Sequence, residues 1–291
     1  MNTAESSFLG RHEFLIRRLH SLSGLIPVGA YMVIHLSVNA SVMNAEGSFQ
    51  FLVHIIHSLG KLLPVIEWGF IFLPLLFHAI FGFVIIKGGS PNHSSYSSSS
   101  NWRYTLQRAS GVLAFFFIMW HVFHMHGWIH TEGWLEMAHG MNGANFRPFN
   151  ASSSLAQALT GILIPTIYLI GVGSCVFHLA NGLWTMGITW GAWTSVKAQS
   201  RAGWVCLLFG IGLMAISITA LVGAKNVDIK QALAEEEAAI EQRLETGLIT
   251  EEDVHHKSYS EDERAETIEA ANAQQAAKSA SDPEAAETTH E

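Results

Sequence analysis

The sequence predicts an all-α integral membrane protein with five transmembrane helices. Of its 291 residues, 49% are hydrophobic and only 14% are charged, whereas soluble domains contain roughly 25% charged residues. Five apolar stretches are long enough to cross a hydrocarbon core of about 30 Å as helices. The N-terminus lacks a cleavable signal pattern, so we expect the first apolar stretch to remain as a membrane helix.

The predicted spans, in chain order, are Ser21–Val42, Leu62–Ile86, Leu106–Gly127, Leu159–Leu183 and Gly203–Gly223. The second span contains Pro64 and Pro74, and the fourth contains Pro165. Membrane helices tolerate such prolines because neighbouring groups satisfy the freed carbonyls. We therefore expect a cytoplasmic segment over residues 1–20, a membrane domain over 21–223 and a tail over 224–291.

Basic residues near the span ends predict the orientation. The loops on one side of the membrane have only two basic residues, Lys61 and Arg147. The other side has eight such residues: Arg11, Arg17, Arg18, Lys87, Arg103, Arg108, Lys197 and Arg201. Cytoplasmic loops are enriched in Lys and Arg, which predicts a cytoplasmic N-terminus. An odd number of spans then places the tail outside, although Lys225 and Lys230 slightly weaken this prediction.

The tail differs in composition from the rest of the chain. Ten basic and six acidic residues precede Ala224, and six basic and 18 acidic residues follow it, which gives net charges of +4 and −12. We expect the tail to be mostly disordered apart from a short helix. The Ser-rich segment Ser90–Trp102 is predicted to be a flexible cytoplasmic link. Cys175 and Cys206 show no metal or haem-attachment spacing, and we interpret both as apolar filler.

Each of the first four spans contains a histidine, namely His35, His78, His121 and His178, and the third span has His124 and His126 at its outer edge as well. Counting from the inner span ends places His35 and His121 toward the outer face, and His78 and His178 toward the inner face. Ionisable groups within membrane helices usually mark a function. Two facing imidazoles can fill both axial positions of a haem iron, so two pairs suggest two haems that transfer electrons and bind no further ligand.

Other roles are open for each histidine on its own. A hydrogen bond to a neighbouring helix is one alternative, and a proton relay is another. Zinc is less suitable because it would need its ligands at one point. Gly24, Gly82 and Gly171 lie one to three helical turns from these histidines, and we expect them to make room for a flat macrocycle.

Several stretches resemble the cytochrome b558 subunit of bacterial succinate dehydrogenase, the dihaem anchor of succinate:quinone oxidoreductase. They are FLIRRLHSLSGLIPVGAYMVIHL, FLPLLFHAIFG, NWRYTLQRASG, MWHVFH and VFHLANGLWTMGITWG, and the resemblance covers about Phe14 to Gly223. It implies a subunit that is not an enzyme alone, in a bacterial cytoplasmic (inner) membrane. The subunit would bind a flavoprotein and an iron-sulfur protein on its cytoplasmic face. Electrons would then pass through two non-covalent b haems to or from a quinone, usually menaquinone.

The resemblance also assigns roles to single residues. It implies that His35 and His121 are the axial ligands of the outer haem iron, and His78 and His178 those of the inner one. It also implies contacts to haem propionates or to the partner for Arg17, Arg18 and Arg108, with His20 and Ser21 in the same motif. The alternative for the arginines is charge that only sets the topology.

The other histidines have less specific roles. His54 matches a family histidine but lies in an outer loop, where it would border a quinone pocket with His57 and Glu67, or bond to a loop. We expect solvated loop positions for a further set, with a quinone contact or adventitious metal as the alternative. This set is His124, His126, His130 and His139.

The sequence thus predicts a five-helix dihaem membrane anchor in contact with lipid and quinone, and with no nucleic acid. No dinucleotide-binding fingerprint is present, so we expect no flavin or succinate site in this chain. The anchor of a fumarate reductase working in reverse is an alternative. A haem-free transporter or proton channel that uses buried histidines is an alternative from another class.

Overall fold

The computed structural model describes residues 8–88 and 99–281, and within these ranges it contains helices and no strand. Five helices are long and apolar enough to cross a membrane: Glu13–Asn44, Gly60–Lys87, Asn101–His126, Leu163–Thr189 and Val196–Asn226. They confirm the five predicted spans, with ends that differ by several residues. The fourth begins at Leu163 because Gly161, with φ of +74°, separates it from the preceding helix.

The membrane helices expose most of their apolar surface. Between 0% and 28% of the most apolar window of each helix is buried within the chain. Large side chains such as Phe70, which is 67% exposed, point away from the protein. Such faces would be unstable in water, whereas lipid tails solvate them as well as another helix does. The surface of these helices therefore suits lipid.

Two of these helices contain widened turns. Gly24–Gly29 in the first helix and Glu67–Phe72 in the second are π-helical, and such turns often occur at functional sites. Pro27 lies inside the first of them. Pro64 and Pro74 each lie in the first turn of an α-helical segment within the second helix, next to a change of helix type.

The chain divides into two compact units. The first unit comprises the residues up to Asn39 together with Leu59–Val122 and Pro165–Thr219. Leu36, Val176 and Leu213 form a buried apolar cluster within it. This unit contains the four histidines that the sequence pairs.

The second unit comprises Ala40–Ser58, Phe123–Ile164 and the residues from Ala220 onward. Its shorter helices are Gln50–His57, Glu132–Gly140, Ala151–Ala158, Ile229–Glu245, Glu251–Lys257 and Glu261–Ser281. Ala156, Ile229 and Leu233 form its buried cluster, against which Tyr259 and Ile268 pack. The tail therefore folds together with the two connecting segments Ala40–Ser58 and Phe123–Ile164.

The tail differs from the sequence prediction, since residues 229–281 form three helices rather than a mostly disordered segment. Asp228 caps the first of them by accepting hydrogen bonds from the backbone N–H groups of Lys230 and Gln231. Thr250 and Asp253 form a capping box at the start of the second. The prediction relied on the average composition of the tail, whereas its few apolar residues lie on the helix faces that pack in the buried cluster.

Some predictions concern residues or properties that the structure does not describe. Most of the Ser-rich link, residues 89–98, lies outside the described residues, as do residues 282–291. The orientation in the membrane, with a cytoplasmic N-terminus and an external tail, stays a prediction.

Candidate functional site

The four histidines form two facing pairs within the first unit. The ring centroids of His78 and His178 are 6.0 Å apart with an interplanar angle of 85°. Those of His35 and His121 are 5.8 Å apart at 68°. A metal–imidazole bond of about 2 Å places the centroids of two axial rings about 6 Å apart across one ion. Both pairs therefore have the spacing that a shared iron requires.

Backbone carbonyls orient both rings of the His78–His178 pair. His78 Nδ1 lies 2.8 Å from the carbonyl oxygen of His20, and His178 Nδ1 lies 3.0 Å from that of Gln107. Because a carbonyl oxygen only accepts, these contacts favour a proton on Nδ1 and a lone pair on Nε2. His178 Nδ1 also lies 3.2 Å from the Gln107 amide nitrogen, and the contact to the carbonyl is the shorter one. Metal-binding histidines typically have this second hydrogen bond.

Polar side chains lie beside both rings of the His35–His121 pair. His121 Nδ1 lies 3.1 Å from the hydroxyl of Tyr168, whose side chain is only 6% exposed. His35 Nδ1 lies 3.5 Å from the hydroxyl of Tyr31, and the Asn39 amide nitrogen is 3.4 Å from His35 Nε2. A hydroxyl both donates and accepts, so these contacts leave the tautomers of the pair open.

Glycines brace the His78–His178 pair. A Cβ atom at Gly24 would overlap the His78 ring, and one at Gly111 would lie 2.7 Å from His178 Cε1. The sequence did not single out Gly111. Gly171 was expected to make room for a macrocycle, but the space left by its missing Cβ is filled by the ring of Phe117. At Gly82, a Cβ would lie 3.3 Å from the ring of His20.

A cavity of about 1040 Å³ surrounds the His78–His178 pair, at the upper end of ligand pockets, which span roughly 300–1,000 Å³. Most of its walls are apolar. All five polar residues that the resemblance assigns to this region line it, and they are Arg17, Arg18, His20, Ser21 and Arg108. The structure therefore brings these five residues to the cavity that contains His78 and His178.

The three arginines on the cavity wall differ in their contacts. Arg17 forms an exposed salt bridge of 2.7 Å with Glu13. Arg108 Nη2 donates to the carbonyl of Ile85 at 3.3 Å. Arg18 Nη1 is buried and has no hydrogen-bond partner among the described residues. A half-buried guanidinium with one unmet donor suits an acidic ligand group, because charge-assisted hydrogen bonds are strong.

These residues fit a haem. The cavity offers two nitrogen donors at suitable spacing, with tautomers set for binding, and apolar walls for a flat macrocycle. Arg18 offers an unmet donor for a propionate. The His35–His121 pair offers the same donor set and spacing.

His54 and His57 lie outside the membrane helices, in the second unit. His54 is buried, with Nε2 3.1 Å from the amide nitrogen of Gln50 and its ring edge against Phe149. Burial lowers the pKa of His54 and of His57 to about 4, so both are neutral at pH 7. Glu67, which the sequence grouped with them, belongs to the first unit. A quinone pocket at these residues stays a prediction.

The outer-edge histidines have different environments. His130 and His139 are exposed, as expected, and His139 Nε2 accepts a hydrogen bond from Arg147 at 2.8 Å. His124 is only 1% exposed, so its predicted solvated position is wrong. The reason is that residues after the turn at Gly127 fold back, and Asn145 donates to the His124 carbonyl. Among residues 8–88 and 99–281, no group of three or more His, Cys, Asp or Glu would hold a metal ion.

Five apolar helices that present two facing imidazole pairs define a multi-pass membrane protein with the layout of a membrane cytochrome b. The chain is 33% identical over 214 residues to the succinate dehydrogenase cytochrome b558 subunit of Bacillus subtilis (strain 168), and the match covers 73% of this chain and 97% of that protein. No family model matches the chain. The chain belongs to the succinate dehydrogenase cytochrome b558 subunit family and is a multi-pass protein of a bacterial cytoplasmic membrane.

Proposed function

We propose that this chain is the membrane anchor and electron-transfer subunit of a succinate dehydrogenase. It would transfer electrons between an iron-sulfur subunit and a membrane quinone through two bis-histidine b haems. The spacing of the two imidazole pairs, 6.0 Å and 5.8 Å, is the observation that carries this proposal. The relationship to a cytochrome b558 subunit supports it.

The residues of the chain hold and enclose each haem. A bound haem supplies a one-electron redox couple, and its potential depends on the ligands, their hydrogen bonds and burial. His78 and His178 would hold one haem, and His35 and His121 the other. With two protein ligands each iron would serve electron transfer rather than oxygen binding. Arg18 Nη1, which has no hydrogen-bond partner among the described residues, would hold an acidic group of the haem at the His78–His178 pair.

The partners follow from the same proposal. A flavoprotein and an iron-sulfur subunit bind the cytoplasmic face, near Arg17, Arg18 and the connection from Lys197 to Arg201. The substrate on the membrane side is menaquinone, bound near the His35–His121 pair. The ligand spacing supports succinate oxidation and fumarate reduction equally, and the relationship to a succinate dehydrogenase subunit favours the first.

A difference spectrum tests the proposal. The chain is expressed with ample haem supply and purified, and the reduced-minus-oxidised absorbance is recorded. We expect the bands of b-type haem and about two haems per chain, one for each imidazole pair. A colourless protein would instead favour the transporter or proton channel, in which buried histidines carry protons without iron.

A further inference from the structure

A chain of hydrogen-bonded side chains lies behind His178. Arg103 Nε donates to the Asn181 side-chain oxygen at 3.0 Å. The Asn181 amide donates in turn to the Gln107 side-chain oxygen at 2.8 Å. The Gln107 amide donates to the His178 carbonyl at 3.1 Å and lies 3.2 Å from His178 Nδ1. Two polar side chains, those of Asn181 and Gln107, thus connect the cation Arg103 to one imidazole of a pair.

Among the described residues, few other hydrogen bonds account for these polar side chains. Asn181 is 4% exposed, although it lies on a helix with apolar surroundings, and a buried amide is costly unless its hydrogen bonds are made. Its second donor contact goes to the backbone carbonyl of Arg103 at 3.3 Å. The guanidinium of Arg103 lies 3.8 Å from the ring centroid of Trp184, which fixes that end of the chain.

We propose that Gln107 and Asn181 are positioning residues that set the orientation and the reduction potential of the haem bound by His78 and His178. This inference rests on the proposed function. The backbone carbonyl of Gln107 accepts the Nδ1 proton of His178, and the side chain of Gln107 is held by Asn181. A stronger acceptor beside Nδ1 makes the imidazole a more basic ligand, which stabilises ferric iron and lowers the potential.

The sharpest test is Gln107→Glu, which exchanges the amide nitrogen near His178 Nδ1 for an oxygen. In a redox titration of the complete complex, we expect a tenfold smaller equilibrium constant for reduction of this haem, equal to about 59 mV for one electron. The haem at His35 and His121 should change less than twofold. Gln199→Glu is the charge control: Gln199 lines the same cavity, so the variant adds the same charge there without a side-chain hydrogen bond to His178 among the described contacts.

Asn181→Leu is the second variant, because it introduces no charge at the partly buried position 107. It removes the contacts to both Arg103 and Gln107 and keeps the number of side-chain heavy atoms. The low-spin electron paramagnetic resonance signal of a ferric haem depends on the angle between its two imidazole planes, here 85°. We expect this signal to shift, or this haem alone to be lost, while the signal of the other haem is retained.

Two results would overturn the inference. One is a Gln107→Glu shift no larger than that of Gln199→Glu, which would indicate charge acting at a distance. The other is an Asn181→Leu protein with both haem signals unchanged. A wild-type protein without haem would instead remove the proposed function itself, so the two failures are distinguishable.

Discussion

The two units of the chain bury polar groups in different ways. In the second unit, the carboxylate of Glu236 is 3% exposed. It accepts hydrogen bonds from the backbone N–H groups of Ser152 and Ser153 at 2.9 and 3.0 Å, from the Ser153 hydroxyl at 2.6 Å and from the Asn150 amide at 3.2 Å. The protein itself thus satisfies this group, and the carboxylate caps the helix Ala151–Ala158.

In the first unit, hydrogen bonds within the described residues reach only one nitrogen of each ring in the His78–His178 pair. The Nδ1 atoms lie beside carbonyl oxygens, and the ring centroids are 6.0 Å apart. A buried polar group with all its hydrogen bonds made stabilises the fold. A pair of imidazoles that keeps one nitrogen of each ring available is typical of a binding site.

The largest expected effect comes from removal of an axial ligand. His178→Ala should lose the haem of its pair and retain the other, so that about half of the haem remains. His121→Ala should lose the other haem instead. Haem content and the difference spectrum measure both, with His130→Ala as the control from the same sequence stretch. A His124 variant that loses a haem while a His121 variant keeps both would contradict the assignment.

A smaller effect is expected where a glycine braces a ring. In Gly111→Ala the new Cβ would lie 2.7 Å from His178 Cε1, so the imidazole must move. We expect the affinity for this haem to fall severalfold, measured by haem retention during purification. Gly69→Ala is the matched control, because no atom lies within 4 Å of its Cβ position. Equal haem content in both variants would show that Gly111 does not brace the ligand.

The stability of the second unit should depend on pH, and Glu236 is the group that causes this dependence. Burial raises the pKa of Glu236 from 4.5 to about 7, although its hydrogen bonds to Ser153 and Asn150 act in the opposite direction. The folded state therefore binds this proton more tightly than the unfolded state. The resulting stability is fully present below pH 4.5 and is lost as the pH rises through about 7, by an amount on the order of 3 kcal/mol.

Hydrogen exchange in the helix Ile229–Glu245 measures this dependence. After correction for intrinsic exchange rates, protection should decline between pH 4.5 and 7 in the wild-type chain. Glu236→Gln cannot ionise and should lack this decline, while its haem content stays normal. An equal decline in both proteins would assign the pH dependence to another group.

The smallest expected effect concerns the His35–His121 pair. Tyr168→Phe removes the hydroxyl that lies 3.1 Å from His121 Nδ1, a hydrogen bond that contributes about 1 kcal/mol. We expect a modest shift in the potential of the haem at this pair and none at the other. Tyr104→Phe, whose ring lies near Arg108, is the control. A shift confined to the His78–His178 haem would contradict the pairing.

The sequence predicted the membrane helices and the two histidine pairs because both depend on distances along the chain. Helical rise converts a count of residues from a basic flank into depth, which is how His35 was matched with His121. The rotation of each helix about its axis was not predictable, since a helix that is apolar all round has no periodic signal. The contacts of Gly111, Gln107 and Asn181 depend on that rotation, and for this reason they were missed.

The tail was mispredicted for a different reason. Its charge and low hydrophobicity describe an average over 68 residues, whereas folding depends on a few apolar positions such as Ile229 and Leu233. The capping residues Asp228 and Thr250 were visible in the sequence and are typical of helix starts. The buried position of Glu236 was not visible, because it requires the N-terminus of a helix about 80 residues earlier in the chain.

The contact between Gly24 and the ring of His78, like that between Gly111 and His178, has a consequence for cofactor insertion. Each ring packs against a glycine on another helix. Immobilising a free side chain on binding costs about 0.5–1.5 kcal/mol, and rings that are fixed by packing would avoid most of that loss. On the proposed function, this packing would let the His78–His178 pair bind haem at a lower free concentration.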